Sequence, residues 1–311
     1  MENRTKRIAA VLLSALMLLM TMIPAFSTAE SMYIIPDSDR RELTESELWT
    51  YKYDTLLYAF NEIYARHGYK FETGSRCYNW FTLMPWYHAN ESESSTNHHE
   101  TYSQCSTLEN RNVDLIKKVR ADMRAQGTTN PKGQGMPTPP AQNIDKPRGF
   151  NYVQLKSGQK LAVYSAPSSS AYRANKGKAA VSTNGAVYAL GWDGNWMLML
   201  YEANFAGQYR VGYIDGSKIK GTRPNLESLR WDGSSCQVLQ GVNLTDDPAL
   251  TGNSLVWIPA GTYVTYLTTM YNSEAWDYIE TTIDGKQARG FVPAGSLSIT
   301  GVDPTELDGN G

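Results

Sequence analysis

The residues best suited to chemistry lie side by side in the stretch NEIYARHGYKF. Arg66 offers a fixed fork of hydrogen-bond donors, and the imidazole of His67 changes its charge near neutral pH. Together with the rings of Tyr64, Trp86 and Tyr87, these two side chains could clamp a carboxylate or another anion. The alternative is structural: Arg66 and His67 end a helix, bond neighbouring carbonyl groups and stack on the rings. We name these five residues as candidate ligand-binding residues.

Histidine side chains are also candidates for metal binding, and the chain has four of them: His67, His88, His98 and His99. Zinc needs three or four ligands that converge on one point, yet adjacent His98 and His99 tend to diverge and no HExxH spacing occurs. The sequence contains no Gly-x-Ser-x-Gly and no phosphate-binding glycine loop. Carboxylates such as Glu62 are too scattered to indicate a glycosidase pair. We therefore predict no metal, no cofactor and no catalytic residue.

The N-terminus has the features of an export signal. Three basic residues between positions 4 and 7 precede an apolar run over 8–26, and small residues follow it. This order is typical of a secretory signal peptide, residues 1–29, cleaved after Ala29. The alternative is an uncleaved membrane anchor, because the apolar run is about long enough to span a bilayer. We predict a secreted protein with no membrane span after cleavage.

The net charge of the chain is too small to attract a charged partner over long distances. The formal net charge of the chain is -2 at neutral pH. A value so close to zero provides no long-range attraction towards nucleic acid. We therefore predict that nucleic acid is not a partner.

The chain has three cysteines: Cys77, Cys105 and Cys236. In an oxidising compartment, two cysteines in one small module more often form a disulfide than a catalytic pair. We predict a disulfide between Cys77 and Cys105, which leaves Cys236 buried and unbonded. Two alternatives stay open. Cys236 could bond one of the others and tie two domains together, or Cys77 could act as a thiolate beside His67 or His88 in a hydrolase.

The elements that position these residues fall into two halves. Residues 125–150 are rich in Pro and Gly and have almost nothing apolar to bury, which predicts a flexible linker. This linker divides a first half with helical patterning from a second half of short runs rich in Val, Tyr and Trp.

The first half is predicted to be mostly helical. Thr44 has the spacing of a helix N-cap, and Asp54 is a plausible N-cap for a second helix that ends at Gly68. Apolar and aromatic residues recur on one face of that helix: Leu56, Leu57, Phe60, Ile63, Tyr64 and His67. An amphipathic pattern predicts a third helix over 108–123, and the polar run at 90–100 predicts a loop.

The second half contains two segments that resemble each other, one from Lys160 and one from Asn243. Each has alternating runs bounded by Gly, Asn and Asp, which is the pattern of β-hairpins. The runs predict two small β-barrels, over 151–222 and 236–300, with a polar tail at 301–311. Whether the stretch between the barrels is a rigid interface or a hinge is not indicated.

In each of these segments a turn is followed by a tryptophan, Trp196 in the first and Trp276 in the second. Half of the aromatic side chains on such strands should point inward, because successive residues alternate between the two faces. Those that point outward could line a shallow groove for an extended peptide or a glycan. We therefore add Trp196 and Trp276 to the candidate ligand-binding residues.

The second half resembles the bacterial SH3-like domain in its Gly-x-Trp turn and its closing Gly-aromatic step. Gly194-Asn195-Trp196 carries the first feature, and Gly290-Phe291-Val292 carries the second. Neither segment has the arginine that the family places before its small-residue start. The resemblance implies two divergent SH3-like barrels.

The first half resembles the YARHG domain of secreted and cell-surface bacterial proteins. Residues 64–68 read YARHG, the motif that names the family. The resemblance extends over residues 33–124, with Ile35-Pro36-Asp37-Ser38 before the motif and Pro85-Trp86-Tyr87 after it. It implies an extracellular module with no established activity that helps to bind the cell wall.

These features together predict an α + β multidomain protein. A small, mainly helical N-terminal YARHG-like domain precedes two SH3-like β-barrels. We expect an exported bacterial cell-envelope protein that binds peptidoglycan or an envelope protein without catalysis. The alternatives are a structural adaptor that binds a surface protein and a cell-wall hydrolase, and the sequence does not indicate the oligomeric state.

Overall fold

The computed structural model describes six stretches of the chain: residues 32–90, 98–139, 149–202, 208–247, 254–271 and 275–299. The signal peptide predicted at 1–29 and the polar tail predicted at 301–311 lie outside them. No helix in these six stretches is long and apolar enough to cross a membrane.

The N-terminal part of the chain, as far as it is described, folds into five helices. They are α1 (Glu45–Leu48), α2 (Tyr53–Arg66), α3 (Arg76–Phe81), α4 (His98–Gln104) and α5 (Thr107–Ala125). The central helix is α2: every residue from Thr55 to Ala65 is buried, and α5 packs along it. We predicted one apolar face on this helix, but the helix is buried on all sides.

Local signals set several helix ends. The Thr44 hydroxyl accepts a hydrogen bond from the Glu47 amide at 3.3 Å, which confirms the predicted start of α1. Ser106 and Glu109 form a reciprocal capping box at the start of α5. Gly68 ends α2 as predicted, because its φ of 78° lies in the left-handed region that glycine adopts without strain.

The start of α2 differs from its prediction. Asp54 lies inside the first turn, and the N-cap is Lys52, whose side chain makes no capping bond. The amides of Lys52 and Tyr53 donate instead to the carbonyl oxygens of Gln134 and Thr129, each at 3.0 Å. Backbone groups far along the chain therefore satisfy the start of this helix.

The first part of the predicted linker makes hydrogen bonds with the helical part of the chain. The side-chain amide of Asn130 donates to the carbonyl oxygens of Trp49 and Tyr51, at 2.8 and 2.9 Å. Gln134 pairs with Tyr51 in a parallel β-bridge. The physical reason is that the backbone after α1 has unpaired groups, which this segment satisfies. Residues 140–148 lie outside the described residues.

The polar run predicted as a loop at 90–100 is partly helical. Its last residues belong to α4, which begins at His98. This helix leads directly into the capped start of α5, so the polar composition does not prevent helix formation here. Residues 91–97 lie outside the described residues.

Residues 150–219 form what we call the first β module. Its strands are β1 (Asn151–Val153), β2 (Lys160–Ala162), β3 (Ala180–Ser182), β4 (Val187–Asp193), β5 (Trp196–Glu202) and β6 (Tyr209–Asp215). An antiparallel sheet has the order β1-β4-β5-β6, and β2 pairs with β3 in a separate hairpin. Tyr164 joins the two pieces by pairing with Tyr213 of β6.

Residues 234–299 form what we call the second β module. Its strands are β7 (Ser234–Val238), β8 (Val242–Thr245), β9 (Ser254–Ile258), β10 (Tyr263–Tyr271), β11 (Ala275–Ile283), β12 (Lys286–Pro293) and β13 (Leu297–Ile299). They form one antiparallel sheet in the order β13-β7-β10-β11-β12-β8-β9. The helical start and the β-rich, half-barrel remainder agree with the predicted α + β class.

The two β modules share a core, which makes the boundary between them a packed interface. Both modules contribute apolar side chains: Leu190, Leu198, Leu200, Val211 and Tyr213 from the first, and Leu267, Met270, Trp276, Tyr278 and Phe291 from the second. Arg289 of the second module crosses the boundary. Its guanidinium donates to Asp193 at 2.6 Å and to the Tyr213 hydroxyl at 2.7 Å.

Residues 222–233, which we call the connector, touch all three parts of the molecule. Connector amides donate to one carbonyl group in each part: Leu229 to Trp192, Arg230 to Thr73 and Gly233 to Tyr266, at 2.7 to 3.2 Å. The helical part also meets the second β module directly. The Asn79 side-chain amide donates to Thr268 and to Thr269, both at 2.9 Å.

Candidate functional site

The Arg66 side chain is enclosed by groups of the protein itself. Its Nη2 donates to the Ile35 carbonyl at 3.0 Å and to the Glu62 carboxylate at 2.9 Å. Its guanidinium lies 4.6 Å from the centre of the Tyr33 ring, close enough for a cation–π contact. The spacing of Glu62 and Arg66 puts them one turn apart on α2, so both side chains reach the same neighbours.

The Glu62 carboxylate is fully buried and is the centre of these contacts. It accepts hydrogen bonds from the amides of Ile34 and Ile35, at 2.7 and 3.2 Å, as well as from Arg66. Burial raises the pKa of Glu62, while Arg66 and the two amides act in the opposite direction. Glu62 and Arg66 therefore hold the segment before α1 against α2.

The other candidate residues of the helical part also make internal contacts. The His67 imidazole is 2.9 Å from the Glu109 carboxylate. Burial alone would raise the pKa of Glu109, but hydrogen bonds from the Ser106 amide and from His67 outweigh it and lower that pKa. The Tyr87 hydroxyl donates to the Tyr69 carbonyl at 2.7 Å.

Two aromatic candidates differ in exposure. Tyr64 is part of the helical core, with only 3% of its surface exposed. Trp86 is half-buried and stacks on Tyr33 with 4.7 Å between ring centres, so Tyr33 lies between Trp86 and Arg66. The structure thus brings Arg66 and Trp86 together through a residue that the sequence did not single out. Their ligand-binding role stays a prediction.

None of the three cysteines, all of which lie in the described residues, forms a disulfide. The disulfide predicted between Cys77 and Cys105 is therefore not formed in this structure. Cys77 lies in α3, whereas Cys105 lies between α4 and α5.

Burial raises the pKa of Cys105 to about 12 and that of Cys236 to about 12. Both side chains are therefore thiols at neutral pH. A cysteine hydrolase needs a thiolate, and neither of these two residues supplies one.

Within the described residues, no group of three or more His, Cys, Asp and Glu side chains could hold a metal ion. The side chains of His98 and His99 lie outside the described part. Among the described side chains, His67 and His88 therefore belong to no group of metal ligands.

A cavity of about 670 Å³ opens on the first β module, and lysines dominate its charge. Four of them line it: Lys156, Lys160, Lys218 and Lys220. Asp215 is the single acidic residue of the lining, which also includes Tyr164, Gln159 and two serines. Among the described residues, none of the four lysines takes part in a salt bridge. We call this cavity the lysine pocket.

Gln159 fixes the two loops that carry the lysines. Its side-chain amide donates to the Lys156 carbonyl at 2.6 Å and to the Lys220 carbonyl at 3.3 Å. Its side-chain oxygen accepts from the Lys220 amide at 2.7 Å. Gly158, with a φ of 79°, forms the tight turn between Lys156 and Lys160. One glutamine therefore holds both pairs of lysines at the same cavity.

The acidic side chain in the pocket is committed to the local backbone. The hydroxyl and the amide of Ser217 lower the pKa of Asp215, and the charge of Lys218 adds to the effect. Asn195 also donates to this carboxylate, at 3.3 Å. Asp215 therefore orders the turn after β6.

The two candidate tryptophans have different environments. Trp196 is half-buried and meets Tyr164 of the lysine pocket edge to face, with 5.3 Å between ring centres. Trp276 is only 1% exposed and packs on Phe291 in the core shared by the β modules. Trp196 is therefore beside a cavity, whereas Trp276 cannot meet a ligand without disrupting that core.

The lysine pocket was missed by the sequence reasoning. The near-zero net charge hides a local cluster, because acidic residues elsewhere cancel it. The signal that could have found it is the lysine spacing in KSGQK, residues 156–160, and in KIK, residues 218–220. That these two stretches meet depends on a contact between residues about 60 positions apart.

Comparison with known proteins gives one domain assignment. No curated protein matches the chain. Two solved structures, NlpC2 and NlpC1 from Trichomonas vaginalis, match 51% of this chain at 12% and 13% identity, each with a TM-score of 0.20. The chain spans about half the length of these two structures, 50% and 48%. Similarity at this level carries no conclusion about fold or function.

The family comparison is specific to the helical part. The family described as the YARHG domain matches residues 31–121, which agrees with the motif at residues 64–68. YARHG domains are found in extracellular proteins. Residues 31–121 of this chain are a YARHG domain.

Proposed function

We propose that this protein is exported and binds a polymer of the bacterial cell envelope without catalysis. The observation that carries the proposal is the lysine pocket, which is lined by four lysines that form no salt bridge within the described residues. Uncompensated positive charges held together by the backbone are suited to an anionic ligand. Cell-wall polymers carry carboxylate and phosphate groups, so the wall supplies such ligands.

The YARHG domain supports the extracellular part of this proposal. Its contacts with the second β module and with the connector also support attachment, because a pocket on a well-packed body presents its charges in a fixed arrangement. Trp196 and Tyr164 add an aromatic wall at the edge of the lysine pocket. Such a wall offers contact area to the uncharged parts of a polymer.

We further propose that both β modules are SH3-like. The Gly-x-Trp turn joins β4 to β5 at Gly194, which has the positive φ of 59° that this turn requires. The closing Gly-aromatic step lies on the last long strand of each module, at Gly212 in β6 and Gly290 in β12. An experimental structure with a strand order unlike that of SH3-like barrels would reject this assignment.

Sedimentation with purified cell walls tests the proposed function. The chain without its predicted signal peptide is mixed with intact walls at low and at moderate salt, and the pellet is assayed for protein. We expect binding at low salt that weakens as salt screens the lysines. Protein that stays in the supernatant under both conditions would overturn the proposal.

A structural adaptor is the second candidate, and the interfaces among the three parts favour it. A chain that holds three modules in one arrangement can present separate surfaces to a partner protein. Cross-linking on intact cells would then recover a protein, and the wall sedimentation assay would show no binding.

A further inference from the structure

Resting on the proposed function, we infer that the lysine pocket recognises a phosphodiester-linked polyanion of the cell wall. The ligand would carry several phosphate charges along one flexible chain. This class is narrower than a cell-wall polymer in general, because it excludes neutral glycan and carboxylate-bearing peptide as the main ligand.

The number of unpaired charges indicates a polyanion. Some basic side chains of the described residues lie beside carboxylates, as Arg66 does with Glu62 and Lys118 with Asp122. None of the four lysines of the pocket forms a salt bridge within the described residues. The one carboxylate of the lining, Asp215, interacts with the charge of Lys218 and is bonded to its own turn. A ligand with a single charge would leave most of the repulsion among these ammonium groups uncompensated.

The arrangement of the lysines fits an extended chain. Lys156 and Lys160 flank one turn, while Lys218 and Lys220 are two residues apart on the neighbouring segment. Gln159 bonds to the backbone of both segments and so holds the two pairs side by side. A polymer that crosses the cavity would therefore pass both pairs in turn. The long lysine side chains can adjust to the spacing of its charges.

The donors of the pocket suit phosphate. No arginine lines the pocket, so lysines alone supply its cationic donors. A lysine ammonium binds phosphate as a point charge with three donors and needs no planar partner.

The decisive experiment compares intact walls with walls whose phosphodiester polymers have been removed by cold hydrofluoric acid. We expect binding to the stripped walls to fall about tenfold or more. Inorganic polyphosphate should compete for binding to intact walls, and poly-L-glutamate at the same charge concentration should compete poorly. Equal binding to intact and stripped walls would overturn the inference and leave the proposed function standing. No binding to either would overturn the proposed function itself.

Two matched variants connect the result to the pocket. The double variant Lys218→Gln/Lys220→Gln removes two of the four charges, and we expect about 25-fold weaker binding to intact walls, at about fivefold per lysine. The control Lys176→Gln/Lys178→Gln has the same spacing on an exposed turn of the same module, away from the pocket. We expect the control to change binding less than twofold. Equal losses in both variants would contradict a specific site.

Vesicles of phosphatidylglycerol and phosphatidylcholine separate two sources of the same chemistry. A lipid headgroup also presents a phosphodiester, but it lies on a flat surface. We expect weaker binding to these vesicles than to intact walls. Binding to vesicles as tight as to walls, with no competition by polyphosphate, would place the ligand in the membrane and overturn the assignment to a wall polymer.

Discussion

At the scale of single residues, Arg66 and His67 have partners inside the protein that account for their place in the motif. A buried carboxylate such as Glu62 needs charged or polar partners, and Arg66 together with two backbone amides provides them. His67 contacts Glu109, which caps the start of α5. The motif thus joins the N-terminal segment, the central helix and the last helix. Such a role needs no ligand.

Replacing Arg66 by alanine tests this structural role. Arg66→Ala leaves the Glu62 carboxylate buried without its cationic partner, and we expect the free energy of unfolding to fall by about 3 kcal/mol. Urea unfolding followed by circular dichroism measures this change. The control Arg40→Ala removes a side chain that is 66% exposed, and we expect an effect within about 0.5 kcal/mol. A folded Arg66→Ala variant with full stability but no wall binding would show instead that Arg66 is a ligand-binding residue.

The buried carboxyl of Asp277 makes stability depend on pH. Burial raises the pKa of Asp277 to about 7, although the Thr269 hydroxyl donates to it at 2.8 Å. Burial also raises the pKa of Asp246, to about 6. Because these pKa values are higher in the folded protein than in the unfolded chain, the folded protein binds the protons more tightly. The contribution of these two protonated carboxyl groups to the free energy of unfolding is complete below about pH 4 and is lost as pH rises towards 7.

Asp277→Asn should flatten this pH dependence, because the amide keeps a hydrogen-bonding partner for Thr269 and cannot ionise. We expect the variant to lose less unfolding free energy than the unmodified protein between about pH 4.5 and pH 7.5, as measured by urea unfolding. Asp284→Asn, on the exposed turn between β11 and β12, is the control and should leave the slope unchanged. Parallel pH profiles for the unmodified protein and Asp277→Asn would refute the contribution of Asp277.

At the scale of elements, features that depend on neighbouring residues could be read from the sequence. The cap at Thr44, the helix stop at Gly68 and the start of α5 all follow from residues within one turn of each other. The N-cap of α2 could not be predicted, because its partners lie in the segment that was predicted as linker. The lysine spacing at 156–160 and at 218–220 can be read from the sequence. That these two stretches form one pocket could not be predicted for the same reason, since Gln159 connects them across the fold.

Gly290, in the Gly-aromatic step of the second β module, is required by the close packing of two strands. A Cβ atom on Gly290 would lie 2.6 Å from the carbonyl oxygen of Thr245, where β12 pairs with β8. Only glycine allows these two strands to approach so closely.

Gly290→Ala should therefore push β8 away from β12 and lower the free energy of unfolding by about 1 to 3 kcal/mol. Thermal or urea unfolding measures the loss. The control Gly185→Ala lies between strands of the first β module, where the nearest atom to a new Cβ is 3.8 Å away, and should change stability by no more than about 0.5 kcal/mol. If both variants were equally stable, the close approach of β8 and β12 would not be a real constraint.

At the scale of the whole molecule, the three parts are connected by contacts that none of them could satisfy alone. The connector bonds to each part, and the core between the β modules contains residues from both. Tyr271 of the second β module even belongs to the core of the helical part, where it meets Trp80 edge to face at 5.4 Å. Sequence patterns indicated the modules but not their interfaces, because interface residues are apolar in the same way as core residues.

This coupling implies one cooperative unfolding transition, in which helical circular dichroism and tryptophan fluorescence change together. Arg289→Ala should separate the two signals. It removes the donor that bonds Asp193, Tyr213 and Glu280, and so leaves polar groups at the module boundary without their partner. We expect fluorescence to change at lower urea than the helical signal, because the tryptophans of the shared core lose their packing first.

Arg223→Ala is the control, since Arg223 of the connector is exposed and stacks on Trp192 of the first β module. We expect its two signals to stay together, because the boundary between the modules is untouched. Separate transitions in the unmodified protein would show that the modules fold independently, and the lysine pocket would then have to act without support from the rest of the chain. Coincident transitions that separate only in Arg289→Ala would identify this one side chain as a link through which the β modules stabilise each other.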